Sequence, residues 1–280
     1  MMPDARVPTS GREGRNVRLD QCMVARGLCE SRAKAQDLIR SGAVSVAGKV
    51  VTRPAHETGG EEAIAISADV PAYVGRAALK LKPVLAGGLI DVRGKRCLDV
   101  GASTGGFTQV MLEFGAAAVV ALDVGSGQLH PSLRADPRVI SRENCDLRRF
   151  DDADGFDVVT ADVSFISLVR LLPDLDRLAR GALVLLFKPQ FEVGPDARRN
   201  RAGVVRDAAA VASARRAFEA EAARIGWRLV SAKPSDLPGR DGNLEYVYVF
   251  DKRAGLSAAP AASALDVPLR MGRRRCNNNE

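Results

Sequence analysis

The segment CLDVGASTGGF, residues 97–107, constrains the fold more than any other part of the sequence. Apolar residues lead up to Asp99 and predict a buried strand, and the apolar pattern that resumes at residue 104 predicts a helix. Gly101 allows a tight turn between them, and Gly105 and Gly106 let backbone N–H groups approach a ligand where the helix begins. The spacing is G-x-x-x-G-G and not the dinucleotide fingerprint G-x-G-x-x-G. We therefore predict an α/β domain with a ligand site at this loop.

Short apolar runs alternate with helical stretches over most of the chain. Strands are predicted at residues 96–100, 117–123, 157–163, 183–188, 227–232 and 244–250, and helices at 104–114, 168–180 and 207–225. This alternation predicts a doubly wound, Rossmann-like sheet over residues 74–252, with ligands bound at the carboxyl ends of its strands.

A smaller α+β pattern precedes this domain, over residues 17–66. Apolar residues from position 19 predict a helix that Gly27 ends, and Ser31 is the predicted N-cap of a second helix that stops at Gly42. Two β-rich runs, 44–46 and 50–52, are predicted to form a hairpin around residues 47–49. The spacing SRxxAxxLIxxGxVxVxGxxV resembles the small RNA-binding module named after the fourth small-subunit ribosomal protein.

This resemblance implies that the small module binds RNA. A helix with separated positive charges can contact a phosphate backbone by shape, without reading bases. A solvated helix face is the alternative interpretation. The predicted RNA-binding residues are Arg18, Arg32, Lys34, Arg40 and Lys49.

The net charge of +7 is concentrated at the two ends of the chain. Residues 1–59 carry +4, residues 60–250 are neutral, and residues 251–280 carry +3. A basic module on a neutral body is typical of an enzyme that binds a polyanion, and a solubilising surface excess is the alternative. A disordered lead (1–16), a linker (67–73) and a flexible basic tail (253–280) are predicted around the two domains.

Several classes of protein are disfavoured by the composition. The sequence has no apolar run near the ~18–20 residues that a membrane span needs, and its first residues have no apolar signal-peptide core. The five cysteines form no C-x-x-C pair, and the two histidines lie far apart in sequence. We therefore predict a cytoplasmic protein with reduced thiols, without a metal site and without a membrane partner.

Two carboxylates beyond the glycine-rich loop predict the ligand. Asp123 ends the second strand, where it can accept both ribose hydroxyls of an adenosine, and Asp146 can accept from the adenine amino group. This arrangement is typical of the S-adenosylmethionine fold. A strand-end turn for Asp99 and a helix cap for Asp146 are the alternatives. The predicted cofactor-binding residues are Asp99, Gly101, Ser103, Gly105, Gly106, Phe107, Asp123 and Asp146.

A second set of charged residues is spread over the sequence but falls at predicted strand ends. Asp162 and Lys188 end two strands, Glu245 begins a predicted edge strand, and Lys80 follows the linker. Lysine directly after an apolar strand is costly to leave unpaired, so Lys188 is expected between Asp162 and Glu245. A partly buried lysine beside a second ammonium can accept the proton of a ribose 2′-hydroxyl. The four residues are therefore predicted to be catalytic.

From residue 17 to residue 250 the sequence resembles the TlyA-type ribosomal RNA 2′-O-methyltransferases, some of which are named haemolysins. The runs DVGASTGGFT, DVSFISL and KPQFEVG carry this resemblance. It implies a Lys-Asp-Lys-Glu tetrad at Lys80, Asp162, Lys188 and Glu245, with S-adenosylmethionine as methyl donor. It also implies cytidine 2′-hydroxyls of large-subunit rRNA as substrate, and of small-subunit rRNA in longer members.

The sequence departs from this family at two places. Residues 75–78 read GRAA where the family usually has SRGG, and Asp146 replaces a common Asn. Both departures leave the tetrad intact, so they bear on the RNA target and the rate. A non-catalytic ribosome-assembly factor and a membrane-acting cytolysin remain the alternative functions.

Overall fold

The structure, a computed structural model, describes residues 17–40, 43–51, 53–59, 61–67, 73–239 and 242–252. The chain divides into two compact units between Arg76 and Ala77. The predicted lead and the predicted tail lie outside the described residues, as do Gly42 and residues 68–72 of the predicted linker.

The first unit combines two helices with short antiparallel strands. The elements are β1 (Val17–Arg18), α1 (Leu19–Ala25), α2 (Arg32–Arg40), β2 (Val44–Val46), β3 (Lys49–Val50), β4 (Glu57–Thr58) and β5 (Ile64–Ile66). Strand β2 lies between β3 and β5, and β1 pairs with β4. The apolar core of this unit is formed by Leu19, Met23, Ala35, Ile39, Val44 and Val46.

Local signals account for most of this unit. The Ser31 hydroxyl accepts a hydrogen bond from Lys34 N at 3.2 Å, which confirms the predicted N-cap of α2. The hairpin turn is one residue shorter than predicted, because Ala47 (φ +48°) and Gly48 (φ +77°) form a two-residue turn and Lys49 already begins β3. Positive φ at both central residues matches the twist of the flanking strands.

The second unit is built around a seven-stranded sheet. Its strands are β6 (Arg96–Val100), β7 (Ala118–Leu122), β8 (Val139–Arg142), β9 (Phe156–Ala161), β10 (Ala179–Phe187), β11 (Arg228–Pro234) and β12 (Tyr246–Asp251). Its helices are α3 (Ala78–Ala86), α4 (Gly106–Glu113), α5 (Pro131–Arg134), α6 (Leu172–Leu178), α7 (Pro189–Glu192) and α8 (Ala208–Arg224). In the described part of the chain, no helix has the length and apolar character required to cross a membrane.

The strand order is β11-β12-β10-β9-β6-β7-β8, and the five strands from β10 to β8 are parallel. This confirms the predicted doubly wound sheet. Strand β12 was predicted at an edge, and this prediction is wrong: β12 pairs antiparallel with both β10 and β11. The side chains of β12 explain its central place, because Tyr248 and Phe250 pack on Phe187 and Phe218 in the core.

Sequence pattern misplaced one boundary by several residues. The helix predicted over residues 168–180 is a 3₁₀ turn (Leu168–Leu171) followed by α6, which ends at Leu178. Residues 179 and 180 already belong to β10, where Ala179 pairs with Phe156. The run ARGA at the start of β10 has low strand propensity, so pairing with the neighbouring strand decides its conformation.

Candidate active site

The charged residues predicted at strand ends lie at the carboxyl ends of the parallel strands, on one side of the sheet. Strands β9 and β10 are parallel, so Asp162 and Lys188, which directly follow them, leave the sheet on the same side. Strand β12 runs antiparallel to β10, with Tyr246 opposite Phe187. Glu245, one residue before Tyr246, therefore lies beside the end of β10. Ligands of open α/β sheets bind at this edge.

Lys188 is buried and has two polar partners. Its Nζ lies 2.6 Å from Asp162 Oδ1 and donates a hydrogen bond to Ser164 Oγ at 3.0 Å. The lysine is 9% exposed, so its head group has little contact with water. The predicted pairing of Lys188 with a carboxylate is present, and Asp162 is that carboxylate.

A second buried ion pair joins Lys80 to Glu245. Lys80 lies in the first turn of α3, and its Nζ donates to Glu245 Oε2. The two residues are 7% and 2% exposed. Glu245 was expected to face Lys188, and its partner in the structure is Lys80. Gly239 makes room for this carboxylate, because a Cβ there would lie 2.5 Å from Glu245 Oε1.

The glycine-rich loop between β6 and α4 is tightly packed. Gly101 has φ +76°, and a Cβ at this position would lie 2.7 Å from the backbone oxygen of Asp162. Gly105 has φ +97° and directly precedes α4, which begins at Gly106. Phe107 is buried below the loop. Because this loop and the strand end at Asp162 approach each other so closely, only glycine fits at position 101.

Asp123 directly follows β7 and faces the glycine-rich loop. Its carboxylate accepts hydrogen bonds from Ser103 N at 2.8 Å and Gly125 N at 2.7 Å. Each carboxylate oxygen has a further lone pair, so Asp123 can still accept from a ligand hydroxyl. Ser103 has φ +48°, a conformation uncommon for a residue with a side chain. Asp123 therefore fits the binding of a ribose diol.

Asp99 was predicted to contact the cofactor, and the structure places its carboxylate inside the protein. Asp99 is 1% exposed, and it accepts from Thr108 N at 2.9 Å, Thr108 Oγ1 at 2.7 Å and Thr160 Oγ1 at 3.2 Å. Burial raises the pKa of Asp99 to about 7, although these hydrogen bonds oppose the shift. Asp99 positions the start of α4 and is enclosed by protein.

Asp146 lies in a surface pocket with Val124, Asn144, Arg148 and Arg149. Its side chain accepts from Arg148 N at 2.9 Å, which is the helix-cap geometry, and from Arg148 Nε at 3.0 Å. The Arg148 guanidinium holds the pKa of Asp146 below its usual range. The carboxylate is therefore a cap and part of this pocket at the same time. Val124 is 72% exposed and offers the pocket an apolar face.

Three residues near Lys188 were missed by the sequence analysis. Ser164 and Phe165 follow Asp162, and Phe165 is 91% exposed with φ +64°. Its ring lies 5.2 Å from the ring of Phe191. Glu192 accepts hydrogen bonds from Leu168 N and from Ser167 Oγ. The available signal for Ser164 and Phe165 was a polar and an aromatic residue two and three positions after the strand-end carboxylate Asp162.

In the first unit, two predicted RNA-binding arginines share one buried carboxylate. Asp20, 0% exposed, accepts from Arg18 Nε at 3.0 Å, Arg32 Nη2 at 3.2 Å and Gln36 Nε2 at 2.7 Å. The arginine side chains remain 42% and 52% exposed. Lys34 donates to the Tyr73 carbonyl at 3.3 Å.

The other two predicted RNA-binding residues are Lys49 and Arg40, and only the side chain of Lys49 is described. Lys49 is exposed on β3, next to the two-residue turn. The side chain of Arg40 lies outside the described part of the chain. The first unit thus presents Arg18, Arg32 and Lys49 at its surface.

Comparison with known families identifies both units. Residues 73–252 match the FtsJ-like methyltransferase family, and residues 17–64 match the S4 domain. The fold and site thus define a methyltransferase with an attached S4 domain.

Individual relatives narrow this class. The chain is 46% identical over 238 residues to the 16S/23S rRNA (cytidine-2′-O)-methyltransferase TlyA of Mycobacterium tuberculosis, covering 83% of this chain and 88% of the relative. It is 49% identical over 180 residues to the 23S rRNA (cytidine-2′-O)-methyltransferase TlyA of Campylobacter jejuni, covering 64% and 71%. The chain belongs to the TlyA family of rRNA methyltransferases, as its motifs predicted.

A solved structure supports the same assignment. The protein named "Putative hemolysin" from Streptococcus thermophilus superimposes with a TM-score of 0.62 at 33% identity, over 85% of this chain and 88% of that one. This structure supports the predicted fold, and the enzyme class is confirmed by the family match and by the two TlyA relatives.

Proposed function

We propose that this chain transfers a methyl group from S-adenosylmethionine to the ribose 2′-oxygen of a cytidine in ribosomal RNA. The observation that carries the proposal is the presence of two buried lysine–carboxylate contacts, Lys188 with Asp162 and Lys80 with Glu245. The backbone of Asp162 also lies against the glycine-rich loop at Gly101. Two relatives whose names specify cytidine-2′-O methylation of rRNA support the choice of substrate.

The residues around Asp123 would hold the cofactor. Its carboxylate can accept the ribose hydroxyls, the loop of Gly101, Ser103, Gly105 and Gly106 can contact the amino-acid part, and the pocket with Val124 and Asp146 can take the adenine. When bound, S-adenosylmethionine supplies an electrophilic methyl group on a sulfonium.

Lys188 is the proposed base. In its unprotonated form, Lys188 Nζ accepts the proton of the 2′-hydroxyl while the ribose oxygen bonds to the methyl carbon, and the electron pair of the broken carbon–sulfur bond remains on sulfur. Asp162, 2.6 Å away, then stabilises the ammonium that forms. Lys80 and Glu245 fix α3 against the start of β12 and keep this wall of the site polar.

RNA contact is proposed at two places. The S4 domain would hold the phosphate backbone through Arg18, Arg32, Lys34, Arg40 and Lys49, in a salt-dependent manner. The exposed ring of Phe165, close to Lys188 along the loop, offers a stacking face for an unpaired base.

The test is methyl transfer in vitro to separated small and large ribosomal subunits, followed by mapping of the modified ribose. Lys188→Ala is expected to lower turnover by at least about 100-fold, the contribution of a general base. Calorimetry is expected to show that Lys188→Ala binds S-adenosylhomocysteine with the same Kd as the wild-type chain. Full turnover by Lys188→Ala would rule out the mechanism. Absence of methylation by the wild-type chain, with RNA binding retained, would instead favour an assembly factor.

A further inference from the structure

The Lys188 amine has one hydrogen-bond acceptor and one ion-pair partner. Ser164 Oγ accepts from Nζ at 3.0 Å, and Asp162 Oδ1, a buried oxygen to which no described group donates a hydrogen bond, lies 2.6 Å from Nζ. An unprotonated lysine carries two N–H bonds and one lone pair on Nζ. The Ser164 hydrogen bond fixes the direction of one N–H bond, and the Asp162 contact restricts rotation about the Cε–Nζ bond, so the directions open to the lone pair are restricted as well.

We propose that Ser164 is a positioning residue of the methyl-transfer reaction, which together with Asp162 directs the lone pair of Lys188 toward the ribose hydroxyl. This inference rests on the proposed role of Lys188 as base. Asp162 alone would leave the amine free to rotate, and much of the rate of such a reaction comes from alignment of the reacting atoms.

The loop that carries Ser164 is tied to the segment that follows Lys188. Glu192, the last residue of α7, accepts from Leu168 N at 2.8 Å and from Ser167 Oγ at 2.6 Å. Helix α7 begins directly after Lys188, so this carboxylate holds the Ser164 loop against the lysine segment. Contact between the rings of Phe165 and Phe191 adds a second tie between the same segments.

Backbone strain at Phe165 indicates that surrounding contacts determine the conformation of the loop that carries Ser164. Phe165, next to Ser164, has φ +64°, a conformation that costs energy for any residue with a Cβ. Such conformations persist where the surrounding contacts determine them, and the Glu192 hydrogen bonds supply those contacts. Ser164 itself is exposed, so a merely solvated hydroxyl would leave turnover unchanged when removed.

Steady-state kinetics of the full-length Ser164→Ala variant test the proposal. The expected result is a kcat about 10-fold lower, with an unchanged KM for rRNA and an unchanged Kd for S-adenosylhomocysteine, because only alignment is lost. Ser164→Thr keeps the hydroxyl and is expected to restore most of kcat. Ser213→Ala, an exposed serine on α8, is the matched control and is expected to leave kcat unchanged.

A double-mutant cycle with Glu192 provides a second readout. Glu192→Ala is expected to lower kcat in the wild-type background and to add little in the Ser164→Ala background, since Glu192 acts by holding the loop that places the Ser164 hydroxyl on Lys188. Equal turnover of wild type and Ser164→Ala overturns the proposed role of Ser164 in positioning Lys188 and leaves the proposed function standing. A wild-type chain that does not methylate rRNA overturns the proposed function itself, so the two failures are distinct results.

Discussion

The two domains each bury an aspartate completely, and they do so with different partners. Asp20 in the S4 domain is 0% exposed and is bonded by Arg18, Arg32 and Gln36. Asp99 in the methyltransferase domain is 1% exposed, and its hydrogen-bond donors within the described residues are Thr108 and Thr160. The burial is equal, and the difference is whether positive charge accompanies the carboxylate.

This difference sets the protonation of the two groups in opposite directions. Burial alone would raise the pKa of Asp20, but the hydrogen bonds from Arg18, Gln36 and Arg32 hold that pKa far below its usual range. At Asp99 burial prevails over the neutral donors and raises the pKa to about 7. Of these two buried carboxylates, the one that remains charged is the one that cations accompany.

The consequences for each domain follow from the charge. Ionised Asp20 holds two half-exposed guanidinium groups at the surface of the RNA-binding domain. Asp99 can be neutral, because Thr160 Oγ1 lies 3.3 Å from the Leu98 carbonyl and can donate there while accepting from a protonated Asp99. The buried aspartate of the S4 domain, Asp20, is thus ionised and holds two arginines, whereas that of the methyltransferase domain, Asp99, can be protonated without losing its hydrogen bonds.

Removing the charged carboxylate is expected to have the largest effect. Asp20→Ala removes the hydrogen bonds of Arg18, Arg32 and Gln36 to a buried carboxylate, and a hydrogen bond to a charged group contributes about 1.5 kcal/mol or more. Since both arginines can regain water, we expect a loss of about 3 kcal/mol of opening free energy in α1 and α2 at neutral pH. Hydrogen exchange of the amides in these helices measures it, and Asp20→Asn, which keeps an acceptor, is expected to lose less.

Acidification distinguishes this effect from simple loss of packing. The pKa of Asp20 is lowered from 3.8 in the folded chain, so its contribution is complete above about pH 4 and is lost as the pH falls through the folded-state pKa. Wild type and Asp20→Ala are therefore expected to converge in stability on acidification. A difference that stays constant down to about pH 2 would show that the charge of Asp20 does not contribute.

Asp99→Asn tests the opposite member of the pair. The unfolded chain releases this proton near pH 3.8, whereas the folded chain keeps it until about pH 7, so stability falls as the pH rises between these values. At about 1.4 kcal/mol per pH unit, wild type is expected to lose about 2–3 kcal/mol between about pH 5 and pH 8 that Asp99→Asn does not lose. The asparagine amide replaces the protonated acid as donor to Thr160.

Urea unfolding at the two pH values measures this difference in the free energy of unfolding. Asp157→Asn, an exposed aspartate of the neighbouring strand β9, is the control and is expected to keep the wild-type pH dependence. Identical pH dependence for wild type and Asp99→Asn would mean that Asp99 is ionised throughout this range, and the contrast with Asp20 would then be lost.

Local pattern in the sequence was sufficient for the strand ends but not for the partners of buried charges. Asp162 and Lys188 follow apolar runs, so their place at the sheet edge is a local property, and the topology of an α/β sheet brings them together. The pairing of Glu245 with Lys80 depends on β12 lying inside the sheet, which no local pattern encodes. Pairing over 165 positions is decided by tertiary packing.

The same limit applies to the two buried aspartates. Asp99 was predicted as a ligand contact because its position after an apolar strand is visible, whereas the hydroxyls that enclose it come from α4 and β9. Asp20 was not singled out at all, since its partners Arg18 and Arg32 were assigned to RNA as separate charges. A sequence indicates which residues are charged, and only packing decides which of them meet.

An acid at the surface completes the series with the smallest expected effect. Glu113 at the end of α4 pairs with Lys82 of α3 at 3.1 Å, and each side chain is about one third exposed. Water screens such a pair, so Glu113→Gln is expected to change the free energy of unfolding by less than about 1 kcal/mol in urea unfolding at neutral pH. A loss as large as that of Asp20→Ala would show that an ion pair at this level of exposure already behaves as buried.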